Sequence, residues 1–297
     1  MPDLGAIRCR RPLPRATRAL RPHKLPPVIG RALQSVKLRV LDGVDAVRHR
    51  DPLVPPRRLD FVGDSDFRGT GDEFLGLFID LAGLKPHERV LDVGSGIGRM
   101  ARPLAGYLQP PGSYEGFDVV PDGVAWCQER YAAAQPHFHF QVAEVRNGLY
   151  RPHAGVPARE YTFPYPDASF DFAFATSVFT HLLPDEADRY LAEMARVVRP
   201  DGRLLVTFFV LDAGGQHRSA PGGRLAFEHD HGHYATESDE VPEDAVAYTE
   251  DWVRERFAAH GLAPVEPIRL GTWSGRADGL SFQDIVIAGP ARATRPS

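Results

Sequence analysis

Ten residues, Val90-Leu91-Asp92-Val93-Gly94-Ser95-Gly96-Ile97-Gly98-Arg99, set three glycines directly behind a short apolar run that contains one carboxylate. Such a turn lets a ligand approach main chain. Glycine at 94 and 96 removes the Cβ atoms that would block the approach, and a helix starting near Gly98 would offer unpaired N–H groups to an anionic group. A dinucleotide fingerprint requires its third glycine at position 99, which here is Arg99, the third glycine falling one residue earlier. Asp92 would repel a pyrophosphate but could pair with the ammonium of an amino acid. An amino-acid-bearing nucleotide therefore fits the segment better than a nicotinamide dinucleotide does.

The next carboxylate in register is Asp118, at the end of Tyr114-Glu115-Gly116-Phe117-Asp118-Val119. At the end of a second strand it can accept from both ribose hydroxyls; the competing role is a helix N-cap ahead of Pro121. A third strand ends at Ala143-Glu144-Val145, beside the position of an adenine edge in such folds. Glu144 could accept from an exocyclic amine and the Val145 N–H could donate to a ring nitrogen, although a glutamate here also reads as a solvated loop acid.

In this order the segments resemble the class I S-adenosylmethionine-dependent methyltransferases. The resemblance spans roughly residues 59 to 289 and includes Phe163-Pro164-Tyr165-Pro166-Asp167 leading into Phe170-Asp171, and Arg196-Val197-Val198-Arg199-Pro200-Asp201-Gly202 ahead of a strand. It implies S-adenosylmethionine as cofactor, with S-adenosylhomocysteine as product. Asp92, Gly94, Ser95 and Gly96 would hold the methionyl end, Asp118 the ribose, and Glu144 with Val145 the adenine, with Val119 and Thr176 as further cofactor contacts. It implies a doubly wound α/β fold whose seven-stranded, mostly parallel sheet has the order 3-2-1-4-5-7-6, strand seven antiparallel. Two departures stand out: Glu144 occupies a place where Asp is usual, and Asp201-Gly202 replaces a usual pair of glycines.

Catalysis by such a cofactor requires in-line placement, exclusion of water and, for a hydroxyl acceptor, removal of a proton. In Thr176-Ser177-Val178-Phe179-Thr180-His181 the histidine is the candidate general base, against the plainer role of ordering the loop before the next helix. His229, His231 and His233, if extended, would face one side. They read as substrate contacts or a gate; no fourth ligand at a familiar spacing follows, so no metal is assigned. Asn147, Tyr150 and His153 are further substrate candidates. Trp126 and Cys127 read as core ahead of a cofactor-pocket wall, and Trp252 and Trp273 read as packing residues.

The elements that must position these groups alternate. Helices are predicted at 74–84, 99–108, 123–134, 185–198 and 249–260, and strands at 89–93, 114–119, 138–143, 170–176, 203–210, 264–270 and 282–288, a pattern that implies parallel strands joined by right-handed crossovers. Two connections, 144–169 and 211–248, exceed ordinary turns and are expected to carry substrate chemistry. Ahead of this domain, 59–297, lie a basic Pro- and Arg-rich arm over 1–27, whose composition favours disorder, and an amphipathic helix with linker over 28–58. Residues 28–49 repeat at the helical period with interspersed basic residues. That pattern suits a helix covering its own domain; contact with a membrane surface is the less favoured reading.

Composition bounds the partners. Of 297 residues 43% are hydrophobic and 25% charged, with two cysteines, so the chain reads as a soluble, cytoplasmic protein without a disulfide framework. Residues 1–60 hold 14 Lys+Arg against 5 Asp+Glu, whereas the remainder holds 21 against 34, and an acidic body disfavours nucleic acid as partner. The sequence thus points to a methyltransferase acting on a small-molecule acceptor, at the oxygen of a sugar or secondary metabolite. A nicotinamide oxidoreductase and a non-catalytic cofactor-binding module are the alternatives; the oligomeric state is not legible.

Overall fold

A helix needs its first N–H groups paired, and Asp66 supplies the cap: its side chain accepts from the Arg68 N–H and opens α1, Phe67–Asp80, which buries Phe74 and Phe78. This computed structural model describes residues 51–59, 66–131, 134–146, 155–211 and 225–291. The arm, the 28–49 helix, Asn147, Tyr150 and His153 lie outside the described residues. After α1 come β1 (Arg89–Val93), α2 (Ala101–Tyr107), β2 (Ser113–Asp118), α3 (Pro121–Tyr131) and β3 (Phe138–Val142). They are followed by β4 (Phe170–Ala175), α4 (Pro184–Val197), β5 (Val198–Phe208), β6 (Val210–Leu211), β7 (His229–Asp230), β8 (Tyr234–Thr236) and β9 (Val246–Thr249). The chain closes with α5 (Glu250–Ala259), β10 (Leu262–Pro264) and β11 (Asp284–Pro290).

Seven strands form one sheet in the order β10-β11-β5-β4-β1-β2-β3. Read from the other edge this is 3-2-1-4-5-7-6, and β11 runs antiparallel to both neighbours, as expected. Side chains alternate across a strand, and β4 shows why the sheet is covered on both faces. Phe172 and Phe174 pack on Phe78 of α1 at 5.3 and 4.4 Å between ring centroids. Ala173 and Ala175 belong to the opposite core, with Tyr190 and Leu191 of α4 and Phe257 of α5.

The long 211–248 connection is not a loop throughout. Its described part builds a second sheet, β6-β9-β8-β7, over a small core containing Phe209, Phe227 and Trp273. In the 144–169 connection Val145–Arg146 pairs with Val156–Pro157, followed by one 3-10 turn at Ala158–Glu160. Three boundaries depart furthest from expectation. The first helix begins at Phe67 rather than 74, because the Asp66 cap precedes the apolar repeat. The strand expected from 203 begins at Val198 and carries an irregularity opposite Phe170 and Phe172. Gly202 sits in that irregularity, where a Cβ would meet the Val198 side chain at 2.6 Å and the Asp171 carbonyl at 2.9 Å. The strand expected at 264–270 is instead Leu262–Pro264, since Pro264 and Pro267 have no N–H to extend a ladder. Among the described residues no helix is long and apolar enough to cross a membrane.

Candidate functional site

Because β1, β2 and β4 run parallel, the residues at their C-terminal ends converge on one edge of the sheet. A cavity of about 410 Å³ opens there, lined by Asp92, Gly94, Ser95, Gly96, Asp118, Val119, Val145, Thr176 and His181 among others. The glycine-rich turn is held more tightly than its sequence suggests. Gly94 and Ser95 both donate to the Phe117 carbonyl at 2.9 Å, and Gly96 donates to Asp118 Oδ2 at 2.8 Å. These N–H groups are thus spent on fixing the turn, not offered to an anion, and α2 begins only at Ala101. At Gly94, φ is +82°, and a Cβ would stand 2.4 Å from Val178 Cγ2, so both conformation and space demand glycine.

What the turn leaves unspent are side-chain oxygens. Asp92 is buried; Tyr114 donates to its Oδ2 at 2.6 Å, while Oδ1 has no partner. Ser95 Oγ is likewise buried and unpartnered. A buried polar atom without a partner is costly, and two of them on one cavity wall mark where a ligand supplies the missing bonds. Burial pushes the Asp92 carboxyl up to about 8, with the Asp118 charge adding to it and the Tyr114 hydroxyl opposing it. Asp118 accepts from Gly96 N–H on one oxygen and from Val120 N–H on the other, at 2.8 Å each. It is raised by burial, against the pull of those N–H groups. Each oxygen keeps a lone pair for a further donor. An amino-acid-bearing nucleoside fits this donor set: an ammonium for Asp92, hydroxyls for Asp118, and an apolar wall of Phe117, Val145, Ala158 and Tyr190 for a planar base.

The opposite wall is the turn that follows β4. Ser177 has φ of +57°, uncommon for a residue with a side chain, and its N–H is fixed by Thr207 Oγ1 at 2.8 Å. His181 ends the 3-10 turn Phe179–His181, and its Nδ1 lies 2.9 Å from the Glu243 main-chain carbonyl. A carbonyl only accepts, so Nδ1 carries the proton and the neutral ring keeps its lone pair on Nε2.

Other expected site residues fall elsewhere. Glu144 is exposed and absent from the cavity lining, although its neighbour Val145 is part of it. The extended run that would align three histidines ends at Asp230, and Gly232 turns the chain at φ +88°. His229 Nδ1 and His231 Nε2 approach Asp239 at 2.7 and 3.3 Å, whereas the His233 ring lies parallel to Trp252 at 6.0 Å. None of the three lines the cavity, and among the described residues no group of His, Cys, Asp or Glu is arranged to hold a metal ion. Trp126 and Cys127 are core residues, and Trp273 is fully buried. Sequence reasoning missed Thr70 and Phe74 of α1, Arg99, and Tyr190 of α4, all of which line the cavity. Arg99 was legible only as a missing glycine, and the α1 residues lack any motif.

Residues 91–206 match the family described as a methyltransferase domain. A fatty-acid O-methyltransferase of Mycolicibacterium smegmatis is 34% identical over 120 residues, covering 40% of this chain and 36% of the relative. A ubiquinone/menaquinone biosynthesis C-methyltransferase UbiE of Bordetella avium is 30% identical over 155 residues, covering 51% of this chain and 53% of the relative. The chain thus spans only about a third to a half of the length of these curated relatives. The PH0226 protein from Pyrococcus horikoshii OT3 superposes with a TM-score of 0.53 at 15% identity, covering 78% of this chain and 94% of that one, a likeness of fold.

Proposed function

We propose that the protein, whose residues 91–206 match a methyltransferase domain, is a class I methyltransferase that transfers a methyl group from S-adenosylmethionine to the oxygen of a small-molecule acceptor, a sugar or secondary metabolite. The observation that carries this reading is the pair of unpartnered buried oxygens, Asp92 Oδ1 and Ser95 Oγ, on the wall of the 410 Å³ cavity beside Asp118. When bound, the cofactor supplies an activated methyl on a sulfonium. The chain does the rest. Asp92 would pair with the ammonium, Asp118 would accept from the ribose hydroxyls, and the Val145 main chain would meet the adenine edge. The apolar wall excludes water.

For oxygen as the acceptor atom, the supporting group is His181, whose Nδ1–H is tied to the Glu243 carbonyl at 2.9 Å so that Nε2 is free to take a hydroxyl proton. The fatty-acid relative is likewise named for methylation at oxygen, the UbiE relative for carbon. Calorimetry with S-adenosylhomocysteine, S-adenosylmethionine and NADH tests the cofactor: the first two are expected to bind and the third to be silent, and binding of NADH alone would overturn the reading. A screen of hydroxyl-bearing metabolites then tests the base. His181→Ala should cost about 10²- to 10⁴-fold in kcat, and a loss within about threefold would remove His181 from the chemistry.

A further inference from the structure

The left-handed turn at Ser177 is held from an unexpected quarter. Its N–H donates to Thr207 Oγ1 at 2.8 Å, and the Thr207 hydroxyl donates in turn to Gln283 Oε1 at 2.6 Å. The Ser177 hydroxyl reaches the same Gln283 Oε1 at 3.1 Å. One carboxamide oxygen on the segment leading into β11 thus takes both hydroxyls. Thr207 is fully buried on β5, so this relay runs across three strand ends to the cavity rim. Beyond Ser177, Val178 presses on the glycine-rich turn: the space that a Cβ on Gly94 would need is filled by Val178 Cγ2. A serine at φ +57° persists only where its surroundings over-determine it, and Gln283 is the hub of those surroundings.

We propose that Gln283 is a positioning residue: by accepting from Thr207 and Ser177 it fixes the 176–178 turn, and that turn sets the glycine-rich loop against the amino-acid end of the cofactor. The role rests on the cofactor reading above. It does not involve contact with the acceptor, and it predicts that a side chain far along the sequence from the Gly94 turn governs cofactor affinity.

Two measurements on the full chain test it: S-adenosylhomocysteine binding by calorimetry, and hydrogen exchange at the Ser177 amide without ligand. Gln283→Leu should weaken binding about 5- to 20-fold and speed Ser177 exchange about tenfold. Gln283→Glu keeps an acceptor oxygen and should restore most of both. Thr207→Val, of nearly the same shape, should reproduce the leucine variant, and the double variant should be little worse than either, as one relay requires. Unchanged affinity and exchange in Gln283→Leu would overturn the proposal, as would equal losses in the leucine and glutamate variants. If wild-type protein fails to bind S-adenosylhomocysteine, the cofactor reading falls instead; the Ser177 exchange rates still decide whether Gln283 holds the turn.

Discussion

Asp92 carries the sharpest chemical consequence of the cavity. Its carboxyl, pushed up to about 8 by burial, is mostly protonated at neutral pH, whereas an ammonium partner requires it ionised. Binding S-adenosylhomocysteine at pH 7 should therefore release close to one proton, read as a buffer-dependent calorimetric heat. Affinity should climb about tenfold per pH unit well below 8 and level off above it. Asp92→Asn should abolish both effects. The sign for the free protein is the reverse: between the unfolded value near 4 and the folded value near 8 the native state holds the extra proton, so this group's contribution to stability falls as pH rises. The asparagine variant should flatten that slope in thermal melts. At Asp118, losing charge-assisted hydrogen bonds worth roughly 1.5 to 3 kcal/mol should weaken S-adenosylhomocysteine about 10- to 150-fold in Asp118→Ala. Unchanged affinity would sink the ribose assignment.

Among the elements, the glycine-rich turn and the turn after β4 behave as one fitted pair. Gly94→Ala meets two obstacles, φ of +82° and the Val178 methyl at 2.4 Å. Adding Val178→Ala clears the second only, so the double variant should regain part of the lost melting temperature while remaining below wild type by about 1 kcal/mol. Full recovery would mean that backbone conformation costs nothing there. A second knot lies at the start of β11. The buried Asp284 accepts from Val210 and Gly271 N–H at 2.6 Å and from Trp273 Nε1 at 2.7 Å, joining the small sheet, the 271–273 segment and the main sheet. Asp284→Ala leaves three buried donors unpaired and should lower stability by about 3 kcal/mol or more, seen as a lowered denaturant midpoint. The Phe163 segment is secured similarly by Glu193, which accepts from the Phe163 N–H at 2.8 Å and pairs with Arg196 at 2.6 Å, giving the Phe-Pro-Tyr-Pro-Asp motif a structural purpose.

For the molecule as a whole, what could be read from the sequence follows the range of the forces involved. The strand–glycine–helix segment at 90–99 and the carboxylate at 118 were legible because close backbone approach leaves a local signature. The alternation of elements implied a mostly parallel, doubly wound sheet, and the seven-stranded order came only with the resemblance of motifs. The second sheet was not legible, since β7 and β8 are two and three residues long and the sheet is completed by β9 pairing with β6, far back in the sequence. Nor was the relay through Thr207 and Gln283, whose members are separated by 76 residues and are ordinary in type. Glu144 illustrates the converse: its place after β3 was foreseen, but exposure there depends on how the 144–169 connection packs, which no local pattern encodes.

The bond between His181 Nδ1 and residue 243 is made to a main-chain carbonyl, not to the glutamate side chain. No substitution at position 243 that preserves the backbone path can therefore delete it, and a side-chain scan of the 242–244 turn would pass over it without a trace. Only displacement of that whole turn releases the ring. The position of the 242–244 turn and the tautomer of the histidine are consequently a single coordinate: when the turn moves away, the imidazole loses the partner that tells its two nitrogens apart.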